Sequence, residues 1–336
     1  MMDRPLGNEH LISRLQSLVE NDRLHPCLLF EGPVGVGKAT IAKWLACFAN
    51  CESPQRPCGE CWSCRQILKG QHPDIIMVGV DPKKTAKIIS VGQARELQRQ
   101  LVVKPFHAKK RFVIIDPADA MTPEAANALL KTFEDPPSQT HFVLVTGAPA
   151  SLLLTVRSRS QRIRFAPVEE GELRAWLEQR ADVDSEIAVE VAEGCPGRAL
   201  TLDASGIEEW RNARDSFCEA INGDVATRLK FAETLARGDR SKWVAKVNLT
   251  LDAVGAMLRD ALSVSHGGTI QYNRDCPHTV DEWSEALGRR GIARAVGVLD
   301  EAQQRLDRFV SGRLVMDSLM ASLRELLDTK ERHASL

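Results

Sequence analysis

The sequence predicts an α/β domain followed by an all-α region. Short apolar runs alternate with amphipathic helical patterns through the first half of the chain, which indicates a mostly parallel sheet covered by helices on both faces. A glycine-rich G-x-x-x-x-G-K loop at 32–38 joins the first apolar run to a helical pattern. Beyond Pro167 the pattern is helical, and no further strand is predicted.

Five strands and the helices between them are predicted in the first half. The strands are short apolar runs, at 27–30, 75–78, 111–115, 141–146 and 162–165. The helices are predicted at 38–50, 90–103 and 123–133. Ser90 and Thr122 are suited to begin the second and third of these helices, and Pro123 is tolerated in a first turn.

The second half is predicted to be helical. A short helical segment at 168–203 is interrupted by the glycines and proline of 194–197, and helices continue from about residue 207 to the end. A loop is predicted at 265–280, which contains two adjacent glycines and Pro277. One face of the last helix is apolar and is formed by Met316, Leu319, Met320, Leu323, Leu326 and Leu327.

Composition and charge restrict the class of protein. With 336 residues, of which 43% are hydrophobic and 26% charged, the chain can form two or three globular domains. A net charge of −1 argues against a protein that coats nucleic acid through bulk charge. No run approaches the roughly 20 apolar residues that cross a bilayer, and no apolar signal segment begins the sequence. We therefore expect a cytoplasmic protein with no membrane partner.

The glycine-rich loop predicts a degenerate nucleotide site. In such loops backbone N–H groups surround the phosphates and the lysine, here Lys38, reaches the terminal ones. The next residue should carry a hydroxyl that holds Mg²⁺, but it is Ala39, and Thr40 points about 100° away around the helix. Asp116 ends a strand where a metal-positioning carboxylate would lie, and Pro117 follows where an ATPase would carry Glu.

These losses predict little or no hydrolysis of ATP and leave the binding of ATP and Mg²⁺ undecided. A glycine turn without a ligand is the alternative interpretation. The residues assigned to the degenerate site are Gly32, Gly35, Gly37, Lys38, Ala39, Thr40 and Asp116.

A cysteine cluster predicts a structural zinc site. Four of the nine cysteines lie close together, at Cys51, Cys58, Cys61 and Cys64. In a reducing compartment such a cluster favours metal binding over disulfides. Four thiolates suit tetrahedral Zn²⁺ and leave no open position for chemistry. Cys47 is the alternative to the first cysteine as fourth ligand, and a redox role for the C-x-x-C pair is a further alternative.

These motifs resemble those of the bacterial DNA polymerase III clamp-loader subunits, most closely the delta prime subunits. The N-A-L-L-K-x-x-E-x-P-P element of 127–137 is highly specific to that group, whereas the last third of the chain matches only in being helical. The matching stretches span about residues 7–205 and are 30–38, the cysteine cluster with 72–74, 114–122, 126–137, 158–160 and 194–200.

The resemblance implies an AAA+ fold in three domains. A P-loop domain with a parallel sheet is expected at 1–166, with the cysteine module inserted at 51–64. A small helical lid is expected at 167–206 and a helical collar for oligomerisation at 207–336. Assembly is implied with the delta and gamma/tau subunits, in a complex that loads a sliding clamp onto primed DNA at the replisome.

The resemblance also implies a stator that acts on a neighbour. Arg159, within Ser158-Arg159-Ser160, matches an arginine that acts in trans on the nucleotide of an adjacent ATPase subunit. A second arginine of the active subunits aligns with Gly197, and Arg198 is one place away, which favours delta prime over gamma/tau. The first interval of the cysteine cluster is two residues shorter than is usual in the family.

Other interpretations remain open from the sequence. The retained lysine and aspartate of the nucleotide site support an active ATPase similar to gamma/tau. The cysteine cluster alone would also suit a zinc-containing DNA-binding module, although the near-zero net charge opposes it. Without the resemblance, Arg159 would be one of several basic residues on a solvated strand edge.

Overall fold

The structure is a computed structural model that describes residues 2–81, 88–137, 139–179, 188–189, 192–200, 204–238, 240–307 and 310–333. The chain divides into two compact units, Met1–Thr201 and Leu202–Leu336. Within the described ranges, no helix is both long and apolar enough to span a bilayer. The finer division into P-loop domain, lid and collar stays a prediction.

A five-stranded parallel sheet forms the centre of the first unit, with the order β2-β3-β4-β1-β5. Every position of β1, β3 and β4 is buried, as expected for strands covered on both faces. The edge strand β5 alternates between half-buried and exposed positions. The strands are β1 Cys27–Glu31, β2 Ile75–Val78, β3 Arg111–Ile115, β4 Thr140–Thr146 and β5 Gln161–Arg164. All five predicted strands are therefore confirmed to within one residue at each end.

Helices cover both faces of this sheet. Leu28 and Phe30 of β1 pack into one apolar cluster, whereas Leu29 packs into the other, because side chains alternate along a strand. The first cluster also contains residues of α1 and α2, and the second contains residues of α4 and α5. The described helices of this unit are α1 Glu9–Glu20, α2 Lys38–Asn50, α3 Trp62–Leu68, α4 Val91–Leu101, α5 Pro123–Glu134, α6 Leu154–Arg157, α7 Glu170–Glu178 and α8 Pro196–Ala199.

Local capping explains where α4 and α5 begin. Ser90 and Gln93 form a reciprocal capping box at the start of α4, and Thr122 accepts a hydrogen bond from the backbone of Ala125 at the start of α5. The predicted end of α4 at residue 103 was wrong, since the helix ends at Leu101. Helices α1 and α3 were not predicted from the sequence.

Helices joined by turns and loops form the described part of the second unit, and no strand occurs there. Its helices are α9 Ala204–Asn222, α10 Val225–Leu235, α11 Arg240–Ser265, α12 Pro277–Asp307 and α13 Gly312–His333. The six apolar residues predicted on the last helix pack against the core of this unit. The predicted loop at 265–280 is too long, because Pro277 begins α12, where a helix tolerates proline.

Candidate functional site

The glycine-rich loop connects β1 to α2. Gly35 and Gly37 have φ angles of 86° and 99°, in the left-handed region that glycine adopts without a steric penalty. Gly37 is the residue that precedes α2, and Lys38 is the first residue of that helix. The loop therefore has the strand–loop–helix setting of a phosphate-binding site.

The Lys38 ammonium is turned toward its own loop. Its Nζ donates hydrogen bonds of 2.6 Å to the carbonyl oxygens of both Gly32 and Pro33. The residue is only 5% exposed. Burial lowers the pKa of Lys38, and the negative charge of Asp116 partly opposes this. In this arrangement the lysine stabilises the loop itself.

Two carboxylates lie near the loop, and one of them is already engaged. Burial raises the pKa of Asp116, while Lys38 acts in the opposite direction. Asp119 accepts a hydrogen bond from the hydroxyl of Thr146, at the end of β4. That bond occupies one oxygen of the Asp119 carboxylate, two positions after Pro117.

A cavity of about 1170 Å³ adjoins the loop. It is lined by residues 34–40 of the loop and helix, by Asp116 and Asp119, by the N-terminal segment 2–6, and by a group of helical residues that includes Pro196 and Gly197. Its volume would accommodate a nucleotide. Ala39 and Thr40 both line the cavity. Ala39 has no hydroxyl with which to hold the metal ion that accompanies a nucleotide in related loops.

The backbone of α8 packs directly on the loop. The N–H of Gly197 donates a 2.8 Å hydrogen bond to the carbonyl of Gly35. A Cβ atom at position 197 would lie 3.0 Å from that oxygen. The structure thus brings the predicted residues Gly35, Gly37, Lys38, Ala39, Thr40 and Asp116 around one cavity. Gly32 does not line the cavity, but its carbonyl oxygen accepts a hydrogen bond from the Lys38 ammonium.

The four clustered cysteines converge. The Sγ atoms of Cys51, Cys58, Cys61 and Cys64 all lie within 4.8 Å of one another. Four thiolates at ~2.3 Å from a tetrahedral Zn²⁺ would be about 3.8 Å apart, so the spacing fits such an ion. Backbone N–H groups of Cys61 and Glu60 donate to the Cys58 sulfur at 3.2 and 3.4 Å and lower the pKa of this thiol to about 6.

Cys47 is not a member of the converging set. Burial raises the pKa of its thiol to about 12, and its side chain hydrogen-bonds to Cys64. The converging set therefore contains Cys51, the residue that the sequence analysis preferred, and not Cys47. The Cys61 sulfur accepts the N–H of Cys64, which caps α3 and links the cluster to that helix.

Arg159 lies in the short segment between α6 and β5. Its Nε donates to Glu134, and its Nη1 donates to the carbonyl of Thr155 at 3.1 Å and to the hydroxyl of Ser158 at 3.4 Å. The side chain is 34% exposed. The residues that line the cavity do not include Arg159.

Two other basic residues of this region pair with a different carboxylate. Arg162 and Arg164 on β5 both pair with Glu31, and the hydrogen bond from Arg162 lowers the pKa of that carboxylate. The Ser160 hydroxyl donates to the carbonyl of Val156 at 2.8 Å and lies 3.3 Å from the Cys27 sulfur. Arg159 therefore has contacts distinct from those of the basic strand edge.

Sequence reasoning missed two features of the site. Glu134 was read only as part of a motif, and no signal in the sequence paired it with Arg159, 25 positions away. The bond between Asp119 and Thr146 was also missed, although Asp119 follows β3 and Thr146 ends the adjacent parallel strand β4, so both lie at the carboxyl edge of the sheet.

Comparisons with known proteins agree on one family. The family described as "DNA polymerase III, delta subunit" matches residues 7–169. The DNA polymerase III subunit delta' of Yersinia pestis is 34% identical, over 75% of this chain and 75% of its own length. The delta' subunit of Escherichia coli is 29% identical over 87% of this chain and 86% of its own length.

Other proteins are also similar to this chain. The tau subunit of Escherichia coli is 29% identical over 70% of this chain, but over only 38% of its own length. Among solved structures, a gamma subunit-related protein of Thermotoga maritima has a TM-score of 0.48 at 17% identity, and the match covers 94% of this chain and 99% of that one.

Proposed function

Because this chain belongs to the family of DNA polymerase III delta' subunits, we propose that it is the stator of a clamp loader and supplies Arg159 in trans to a neighbouring ATPase subunit. The chain would assemble with gamma/tau and delta subunits. The assembled complex would open a sliding clamp and place it on primed DNA at the replisome, in the cytoplasm.

One observation carries this proposal. Arg159 is absent from the lining of its own chain's nucleotide cavity, yet a third of its side chain is exposed. Among the described residues, Nη2 of its guanidinium has no hydrogen-bond partner, whereas Nε and Nη1 do. An arginine with an unpaired Nη2 group on a partly exposed side chain can bind the terminal phosphate of a nucleotide held by another subunit.

Hydrolysis by the chain itself is not part of the proposal. Ala39 supplies no oxygen for Mg²⁺, Pro117 supplies no carboxylate to orient water, and Lys38 bonds to its own loop. The cavity is large enough for a nucleotide, so binding without turnover is compatible with the stator role. An active ATPase similar to gamma/tau is the alternative function.

The cysteine cluster is proposed to hold a structural Zn²⁺. Cys51, Cys58, Cys61 and Cys64 would supply four sulfur ligands and complete a tetrahedron, which leaves no position for a substrate. The metal would stabilise the segment between α2 and α3. The helical unit from residue 207 onward is proposed as the collar, which would form most of the permanent contacts between subunits.

The test compares the reconstituted complex with and without the arginine. Arg159→Ala should leave assembly intact and lower the ATPase rate of the complex in the presence of clamp and primed DNA. Arg164→Ala, which removes a nearby exposed arginine, is the matched control and should change the rate little. An unchanged rate in the Arg159 variant would remove the finger role.

A second experiment separates the stator from the alternative function. ATP binding and hydrolysis are measured on the purified chain alone, with and without Mg²⁺. The stator is expected to show no turnover. Clear Mg²⁺-dependent turnover by the isolated chain would favour the active ATPase.

A further inference from the structure

The Arg159 guanidinium is bound to Glu134, the last residue of α5. The C-terminal end of a helix carries partial negative charge, so a carboxylate there is locally unfavourable. Helix formation by itself therefore gives no reason for an acid at this position. The pairing with Arg159 offsets the local repulsion, and it brings α5 into contact with the segment that follows α6.

The C-terminal end of α5 is held in place by a buried side chain and a backbone hydrogen bond. Phe133, directly before Glu134, is fully buried and packs edge-to-face on Phe142 of β4, with ring centroids 5.1 Å apart. The N–H of Asp135 donates to the carbonyl of Lys131 at 3.1 Å and closes the last turn. The backbone that carries Glu134 is therefore anchored in the core of the first unit.

The segment on the other side of Arg159 is fixed as well. The hydroxyl of Ser160 bonds to the carbonyl of Val156 and contacts the buried thiol of Cys27 in β1. The long side chain of Arg159 spans these two anchored elements. Glu134 and Thr155 hold its Nε and Nη1, and Nη2 has no hydrogen-bond partner among the described residues.

We propose that Glu134 is a positioning residue that orients the Arg159 guanidinium toward the terminal phosphate of a nucleotide on the neighbouring subunit. The inference rests on the proposed trans role of Arg159. A guanidinium already held in one orientation loses less conformational freedom when it meets the phosphate, and a small misplacement weakens its action on the reacting group.

The experiment measures kcat and KM for ATP in the reconstituted complex with clamp and primed DNA. Glu134→Ala should remove most of the part of kcat that Arg159→Ala removes, with little change in KM and with assembly intact. Glu134→Gln retains a carbonyl acceptor for the Nε–H and should recover most of that loss. Combining Glu134→Ala with Arg159→Ala should lower kcat no further than Arg159→Ala alone.

A matched control is available on the same helix. Glu124 is exposed in the first turn of α5, and Glu124→Ala should leave kcat unchanged. If Glu124→Ala lowers kcat as much as Glu134→Ala, or if the loss follows a lower yield of assembled complex, Glu134 has a structural role and the proposal is overturned. A higher kcat for Glu134→Ala would mean that Glu134 restrains the arginine, which also overturns it.

The outcomes distinguish this inference from the proposed function. If Arg159→Ala lowers kcat and Glu134→Ala does not, the positioning role fails and the finger role stands. If Arg159→Ala leaves kcat unchanged, both are wrong.

Discussion

The buried ion pair between Asp74 and Arg111 offers a sharp test of how the first unit is held together. Asp74 precedes β2 and is only 2% exposed, and Arg111 begins β3. Their closest N–O distance is 3.2 Å. The Asp74 carboxylate also accepts the backbone N–H groups of Phe106, His107 and Ala108, at distances between 2.7 and 3.0 Å. One carboxylate thus fixes the loop before β3.

Asp74→Asn is the informative change, because it keeps the size of the side chain and removes its charge. The asparagine offers one acceptor oxygen to a set of backbone donors, and Arg111 is left buried without its counter-ion. Removing one partner of a buried pair costs about 3–5 kcal/mol. That is a large share of the roughly 5–15 kcal/mol that stabilises a folded domain.

The stability that Asp74 contributes should depend on pH in a predictable direction. Burial by itself raises the pKa of Asp74, but the backbone N–H groups of His107, Ala108 and Phe106, together with Arg111, outweigh it and lower that pKa. A carboxylate with a lowered folded-state pKa contributes stability above its unfolded pKa of about 3.9, and the contribution is lost as pH falls through the folded pKa. The stability difference between wild type and Asp74→Asn should therefore be constant near neutral pH and narrow only in strong acid.

The assay is urea unfolding followed by circular dichroism. Asp22→Asn is the matched control, since Asp22 pairs with Lys110 but its side chain is 76% exposed. Water screens an exposed pair, so the control should lose much less stability than Asp74→Asn. Equal losses in the two variants, or no loss in Asp74→Asn, would refute the reasoning.

Three further predictions concern other parts of the chain. Cys58→Ser should lower the amount of bound zinc, measured by metal analysis, and the melting temperature, measured by calorimetry. If the wild type without metal were as stable as the wild type with zinc, the structural-zinc claim would be contradicted. Gly197→Ala places a Cβ 3.0 Å from the carbonyl oxygen of Gly35 and should lower the free energy of unfolding in urea by about 1–3 kcal/mol. Gly171→Ala, with open space around it, is the control and should cost no stability. Equal losses in the two variants would exclude the steric explanation. Asp275→Asn removes the charge and one of the two oxygens that accept 2.7 Å hydrogen bonds from the buried Arg214. It should destabilise the second unit by about 2 kcal/mol, a figure reduced because Asp275 is partly exposed. An unchanged unfolding curve would show that this ion pair contributes nothing.

Most of the sheet could be predicted because its strands are nearly continuous apolar runs. Strands β1, β3 and β4 are buried on both faces, so each appears in the sequence as a run of mostly hydrophobic residues. The starts of α4 and α5 were predictable for a similar reason, since Ser90 and Thr122 act on residues three positions away. The end of α4 was not predictable, because Val102 and Val103 continue an apolar pattern although both are exposed.

The sequence by itself determined the features whose parts lie close together in the chain. The glycine-rich loop, the missing hydroxyl at Ala39 and the cysteine cluster are all local, and their chemistry follows from residue type and spacing. Only the tertiary structure decided which distant groups meet. Glu134 holds Arg159, Asp74 holds a loop more than 30 positions away, and Gly197 packs on Gly35. Periodicity and spacing report the environment within one helix or strand, whereas these pairings depend on how separate elements pack against one another.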